Sequence, residues 1–170
     1  YILNEEEFVD IQVTKINQER FKLGPYEFVT VRDGYIGGAY DKFGGLIVLP
    51  PGNTYCLHEK EYDDIQLKQR STKFLLGPYQ FVTVLGNQLA GAYSKVTGEY
   101  VTLPPGQTYQ LSGQEFYEAN VVTRTGHNNR VGPLVYLTVP NDKLVGAFCV
   151  SDGKFIQFES SDQEYVLHDR

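Results

Sequence analysis

The chain has 170 residues, 41% of them hydrophobic and 21% charged, a composition that supports a packed core and argues against disorder. Thirteen Tyr, ten Phe, 17 Gly and eight Pro stand against no Met and no Trp, which favours strands and tight turns over long helices. No apolar run exceeds four residues, which excludes a membrane-spanning helix, and a net charge of -6 without any Lys/Arg run disfavours nucleic acid or an anionic membrane as partner.

Along the chain, Val9, Ile11 and Val13 alternate with Asp10 and Gln12, the period-two signature of a half-buried strand. Residues 21–31 read as the next strand, kinked or at an edge where Gly24-Pro25 interrupts it, because proline lacks an N–H and fixes its own φ. Arg32-Asp33-Gly34 predicts a turn that folds residues 28–31 back onto residues 35–40 as a hairpin. Gly44-Gly45 marks a second turn, leading into a strand over Leu46–Leu49, and Pro50-Pro51-Gly52 punctuates the chain before residues 54–57. No ten-residue window shows a helical period with caps. The expected class is all-β.

These elements recur. Tyr1-Ile2-Leu3 returns as Tyr55-Cys56-Leu57 and Tyr109-Gln110-Leu111, a step of 54 each time. Leu23-Gly24-Pro25-Tyr26 returns as Leu76-Gly77-Pro78-Tyr79 and, weakened, as Val131-Gly132-Pro133-Leu134. Gly38-Ala39-Tyr40 becomes Gly91-Ala92-Tyr93 and Gly146-Ala147-Phe148, while Leu49-Pro50-Pro51-Gly52 recurs at Leu103-Pro104-Pro105-Gly106 and is lost in the third copy. The reading is a tandem array of three antiparallel β-sheet repeats of about 54 residues, 1–54, 55–108 and a diverged 109–164, with 165–170 as the first strand of a fourth. A closed threefold domain, a β-trefoil or β-prism, is the alternative. It is disfavoured by a fourth Tyr-x-Leu at Tyr165-Val166-Leu167, which closure would leave as surplus.

Gly-Pro-Tyr-x-Phe-Val, a short hairpin and then Leu-Pro-Pro-Gly-x-Thr-Tyr-x-Leu, as they stand at Gly24 to Leu57 and Gly77 to Leu111, resemble the β-repeats of the major vault protein family. The resemblance implies small antiparallel sheets strung in a row, packed side by side in a shell wall, with a protein–protein role and no catalytic residues. The shoulder-like α/β domain and long cap helix of a vault chain have no counterpart in this sequence.

Little in the sequence points to chemistry. His58, His127 and His168 fall at no repeated position, and His127 sits in an irregular polar segment read as a surface loop. His58, Glu59, Glu61, Asp63 and Asp64 resemble an acidic cation site, but strand alternation splits them between two faces, so a solvated charged strand is the expectation. Cys56 and Cys149 fit no metal spacing and are expected to be free thiols, at least one of them in the core. No nucleophile elbow, P-loop or dinucleotide fingerprint occurs. No catalytic residue, cofactor or metal is therefore assigned, and a cytoplasmic setting fits best.

Binding has more support. Tyr26, Phe28 and Thr30 point to one side of their strand and Val29 and Val31 to the other, a pattern repeated at Tyr79, Phe81 and Thr83 and at Leu134, Tyr136 and Thr138. One row must be core. The aromatic row is expected to pack on a neighbouring strand or unit. Where exposed, it makes Tyr26, Phe28, Tyr79, Phe81 and Tyr136 a candidate interface. The expected function is a non-enzymatic interaction or structural module that binds itself or another protein. The alternatives are a lectin-like carbohydrate-binding module and, more remotely, an enzyme built from non-equivalent loop residues.

Overall fold

A computed structural model describes residues 12–16, 18–160 and 164–168. The described residues form strands and turns with no helix, in several small antiparallel sheets and no closed barrel. The chain divides into two compact units, Tyr1–Gly77 and Pro78–Arg170. The divide lies inside the second sequence repeat, between the glycine and proline of its Gly-Pro turn.

In the first unit the strands are β1 (Arg20–Leu23), β2 (Tyr26–Val31), β3 (Tyr35–Asp41), β4 (Leu46–Leu49), β5 (Asn53–His58), β6 (Tyr62–Gln69) and β7 (Lys73–Leu76). They make one sheet ordered β1-β2-β5 and another ordered β4-β3-β6. Gly24-Pro25 does more than kink a strand: β1 and β2 fold back on each other there, with Leu23 opposite Tyr26. Gly24 has φ 56° and proline fixes the next φ near -65°, the sign pattern of a type II′ hairpin turn.

The expected hairpin between residues 28–31 and 35–40 is not formed. β2 and β3 lie in different sheets, so the Arg32-Asp33-Gly34 turn carries the chain from one sheet to the other. The hairpin partner of β3 is β4. Asp41 shapes their turn, its Oδ1 accepting the N–H groups of Phe43 and Gly45 at 2.9 and 2.8 Å. Pro50-Pro51-Gly52 then returns the chain to the first sheet, where Gly52 N–H donates to the Val31 carbonyl at 2.7 Å and β5 pairs with β2.

Alternation decides what lies between the sheets. Val29 and Val31 are fully buried, packed with Ala39, Leu49, Leu57 and Ile65 from the other strands. The valine row is thus core, each such side chain contributing about 1.5–3 kcal/mol on burial, and the Tyr26/Phe28 row faces outward.

The second unit holds β8 (Tyr79–Val84), β9 (Gln88–Tyr93), β10 (Tyr100–Leu103), β11 (Gln107–Ser112), β12 (Asn120–Thr123), β13 (Asn128–Val131), β14 (Leu134–Leu137), β15 (Val145–Phe148), β16 (Phe155–Phe158) and β17 (Tyr165–His168). The same plan reappears: β8 pairs with β11, and a second sheet runs β10-β9-β12. Val82, Val84, Ala90, Ala92, Leu103, Leu111 and Ala119 form its core. A further group has the sheet β13-β14-β17 and the two-stranded sheet β15-β16, around Leu137, Val139 and Phe158. β17, read from sequence as opening a fourth repeat, pairs with β14 and completes that three-stranded sheet.

Each strand group therefore begins at the Gly-Pro hairpin rather than at Tyr-x-Leu. The Tyr-x-Leu strand closes the first sheet of a group, and the strand after it closes the second. A repeated hydrogen bond explains the tyrosine: Tyr55, Tyr109 and Tyr165 donate from Oη to the carbonyls of Pro50, Pro104 and Glu159 at 2.8, 2.7 and 3.0 Å. The third copy keeps this latch although its Pro-Pro-Gly is gone.

Candidate interaction surface

The five aromatic residues predicted as an interface have different fates. Tyr26 is exposed and meets the His58 ring edge-on at 4.9 Å. Phe28 is half-buried because Phe21, opposite it on β1, stacks on it at 4.8 Å. Tyr79 is half-buried, and Phe81 is only 5% exposed and offers no surface. Tyr136 is half-buried under the Arg124 guanidinium, 5.7 Å from its ring. Burial holds its hydroxyl pKa above the ordinary value, helped by Glu164 and opposed by Arg124. The row is thus a set of local packing contacts, not a continuous stripe.

The polar candidates do not gather either. Among the described residues no group of three or more His, Cys, Asp or Glu could hold a metal ion. His58 Nδ1 accepts the Lys60 N–H at 3.0 Å, and Asp63 pairs with Lys42 at 2.6 Å, so the acidic segment is committed to turn and surface contacts. His127 lies exposed in its loop, where its carbonyl accepts the Thr138 N–H at 2.8 Å. Cys56 and Cys149 are free thiols, but the expectation that one lies in the core is corrected. Cys56 is exposed because it sits opposite Phe28 on the outer face of its sheet, and Cys149 is half-buried. Among the described residues no helix is long and apolar enough to cross a membrane.

Two arrangements that sequence reasoning missed concern how the two sheets of a group are tied and how one group meets the next. The first is a buried polar tie. Gln80, nearly buried on β8, accepts the Ala119 N–H on its Oε1 at 2.9 Å. At the same repeat position Glu27 pairs with Arg20, whose Nη1 donates to the Ile65 carbonyl at 3.1 Å. Ile65 and Ala119 are themselves equivalent. A buried polar side chain of the first sheet thus anchors the backbone of the segment that completes the second, directly at Gln80 and through Arg20 at Glu27.

The second arrangement is a seat for the Gly-Pro turn. Gly77, φ 55°, lies against the Tyr40 hydroxyl and the Leu46 methyls, so closely that no Cβ would fit. Gly132, φ 55°, lies in the same way against the ring of Tyr100, the repeat equivalent of Leu46. Tyr100 also covers Gly91 and packs edge-on against Tyr93 at 4.9 Å. Burial pushes the Tyr100 hydroxyl pKa up to about 12, with the neighbouring Tyr136 and Tyr93 adding to the shift and Asn120 opposing it. Only glycine combines a positive φ with this close approach. The signal was present in sequence as the repeated Gly-Pro and Gly-Ala-aromatic motifs, but nothing there shows that one docks on the other.

The third group carries the same aromatic pair, with no turn upon it among the described residues. Phe148 and Phe155, equivalent to Tyr93 and Tyr100, pack edge-on at 5.0 Å and are 72% and 60% exposed. Gly24, the matching turn glycine of the first group, has no described neighbour within contact distance of where its Cβ would be. No protein-family model, curated protein or solved structure matches the chain.

Proposed function

We propose that this protein is a non-enzymatic β-repeat module whose role is structural, built to associate with itself or with another protein through the faces and edges of its small sheets. The seat beneath the Gly-Pro turn carries this reading. It is occupied at Gly77 and at Gly132, and the corresponding aromatic pair of the third group stands exposed. Val150 and Ile156, next to Phe148 and Phe155 along the strands, are exposed apolar residues as well. Clustered apolar exposure on a small domain marks an interaction surface. The likeness to the wall repeats of the major vault protein family supports the same role, and a cytoplasmic setting suits two free thiols.

Light scattering of the purified chain, with affinity capture on the tagged chain, tests the reading. The expected result is a mass that rises with concentration, or a defined protein partner. A chain that stays monomeric throughout and captures no protein contradicts it. The lectin alternative rests on repeated tyrosines such as Tyr26 and would be favoured by robust hits on a glycan array.

A further inference from the structure

The second sheet of a group has two edges, and the chain treats them differently. In the first group β6 runs along one edge, where several features oppose pairing with another strand. Asp63, Asp64, Gln66 and Lys68 line it, and its ladder to β3 shifts register between Gly38 and Tyr40. Asp64 takes a φ of 40°, and the Ile65 carbonyl accepts from the Arg20 guanidinium at 3.1 Å. In the second group the tie falls on the same side, where Gln80 takes the Ala119 N–H just before β12.

The opposite edge, formed by β4 and by β10, carries none of these devices. Leu46-Ile47-Val48-Leu49 and Tyr100-Val101-Thr102-Leu103 contain no charge and no proline. Ile47 and Val101, at the same repeat position, are each 39% exposed although both lie opposite a buried core alanine. β10 is the more open of the two, with Thr102 exposed as well. Its ladder also fixes where its main chain points. Ser94 N–H donates to the Glu99 carbonyl at 2.8 Å, so alternation makes Ala92 with Val101 and Ala90 with Leu103 the bonded pairs. The N–H and C=O groups of Tyr100 and Thr102 therefore point away from β9, and among the described residues no backbone group meets them.

We propose that the β10 edge of one copy pairs antiparallel with the β10 edge of a second copy, about a two-fold axis beside Val101. This deepens the self-association reading above and rests on it. The register follows from two conditions. Side chains that meet across such an axis share a face, and the outward main-chain groups must face each other. Tyr100 then meets Thr102 of the second copy and exchanges both bonds with it. Val101 meets itself at the unbonded position between them, where Cα atoms approach to about 4.5 Å and side chains are closest. Glu99 falls opposite Leu103, so no like charges are opposed. A second copy is the fitting occupant because the edge is its own complement, the condition for a closed two-fold interface.

A single cysteine tests the axis on the full chain. Val101→Cys, in a Cys56→Ser, Cys149→Ser background, should give a disulfide-linked dimer and nothing larger on air oxidation. Val96→Cys, 78% exposed at the tip of the same hairpin but far from the axis, should crosslink at least tenfold more slowly. Equal rates, or no crosslink at Val101→Cys, overturn the proposal. Val101→Lys and Val101→Glu each oppose like charges across the axis and should lower self-association at least tenfold, while their equimolar mixture restores it. Loss in both without recovery on mixing means that the edge takes a different strand, and the two-fold register is wrong. Thr102→Pro removes an outward N–H without touching the ladder to β9, and should weaken association while leaving the circular dichroism melt unchanged. If the wild-type chain associates and these variants associate equally, the β10 joint is wrong and the self-association reading stands. A wild-type chain monomeric at every concentration removes both.

Discussion

At the residue scale, the decisive groups are buried polar atoms, because a buried donor or acceptor that loses its partner keeps the full cost of its desolvation. Gln80 holds the Ala119 N–H inside the core, so Gln80→Leu removes that bond. The expected cost is about 1–3 kcal/mol, read as a lower urea midpoint, and an unchanged midpoint would show that the tie contributes nothing. Tyr100 gives a pH signature. Folded, it keeps its proton up to about pH 12, whereas the unfolded side chain releases it near the ordinary value of 10.0. Between these values the folded state binds more protons, so stability falls as pH rises through that window and is unaffected below it. Tyr100→Phe should flatten this alkaline loss while changing stability at neutral pH by less than about 1 kcal/mol. An identical alkaline unfolding curve would place the sensitivity elsewhere.

At the element scale, turn glycines separate local backbone needs from docking. Gly24 and Gly132 share a left-handed φ near 56°, so alanine at either position carries the same backbone penalty of about 1–2 kcal/mol. Only at Gly132 does the new Cβ also meet the Tyr100 ring, which adds about 1–3 kcal/mol of overpacking. Thermal melts should therefore show Gly132→Ala well below Gly24→Ala, and equal melting points would mean that the seat is not a packed joint.

The same elements show how far the sequence reaches. Period-two alternation and repeated turn residues locate most of the strands, since face alternation and positive φ are local properties, but Gly24-Pro25 reads as a kink where it closes a hairpin and the segment after His127 as a loop where β13 forms. Whether Arg32-Asp33-Gly34 closes a hairpin or passes between sheets is not local. It depends on β5 and β6, more than twenty residues away, taking the edges that a hairpin would have used. The interface fared likewise. Val29 against Phe28 is legible as two faces, but which face is core depends on the second sheet.

At the scale of the whole molecule, the lesson is a shift of frame. Read from Tyr-x-Leu, the chain is three units and a fragment of a fourth. Read from the Gly-Pro hairpin, the described residues are three strand groups, each with one sheet built on that hairpin and a second built on the Gly-Ala-aromatic strand. Sedimentation velocity of the full chain over a wide concentration range tests the self-association reading most directly, because it reads mass and shape together. The account predicts species heavier than the 19.3 kDa chain whose share grows with concentration. A single compact monomer at all concentrations would contradict it.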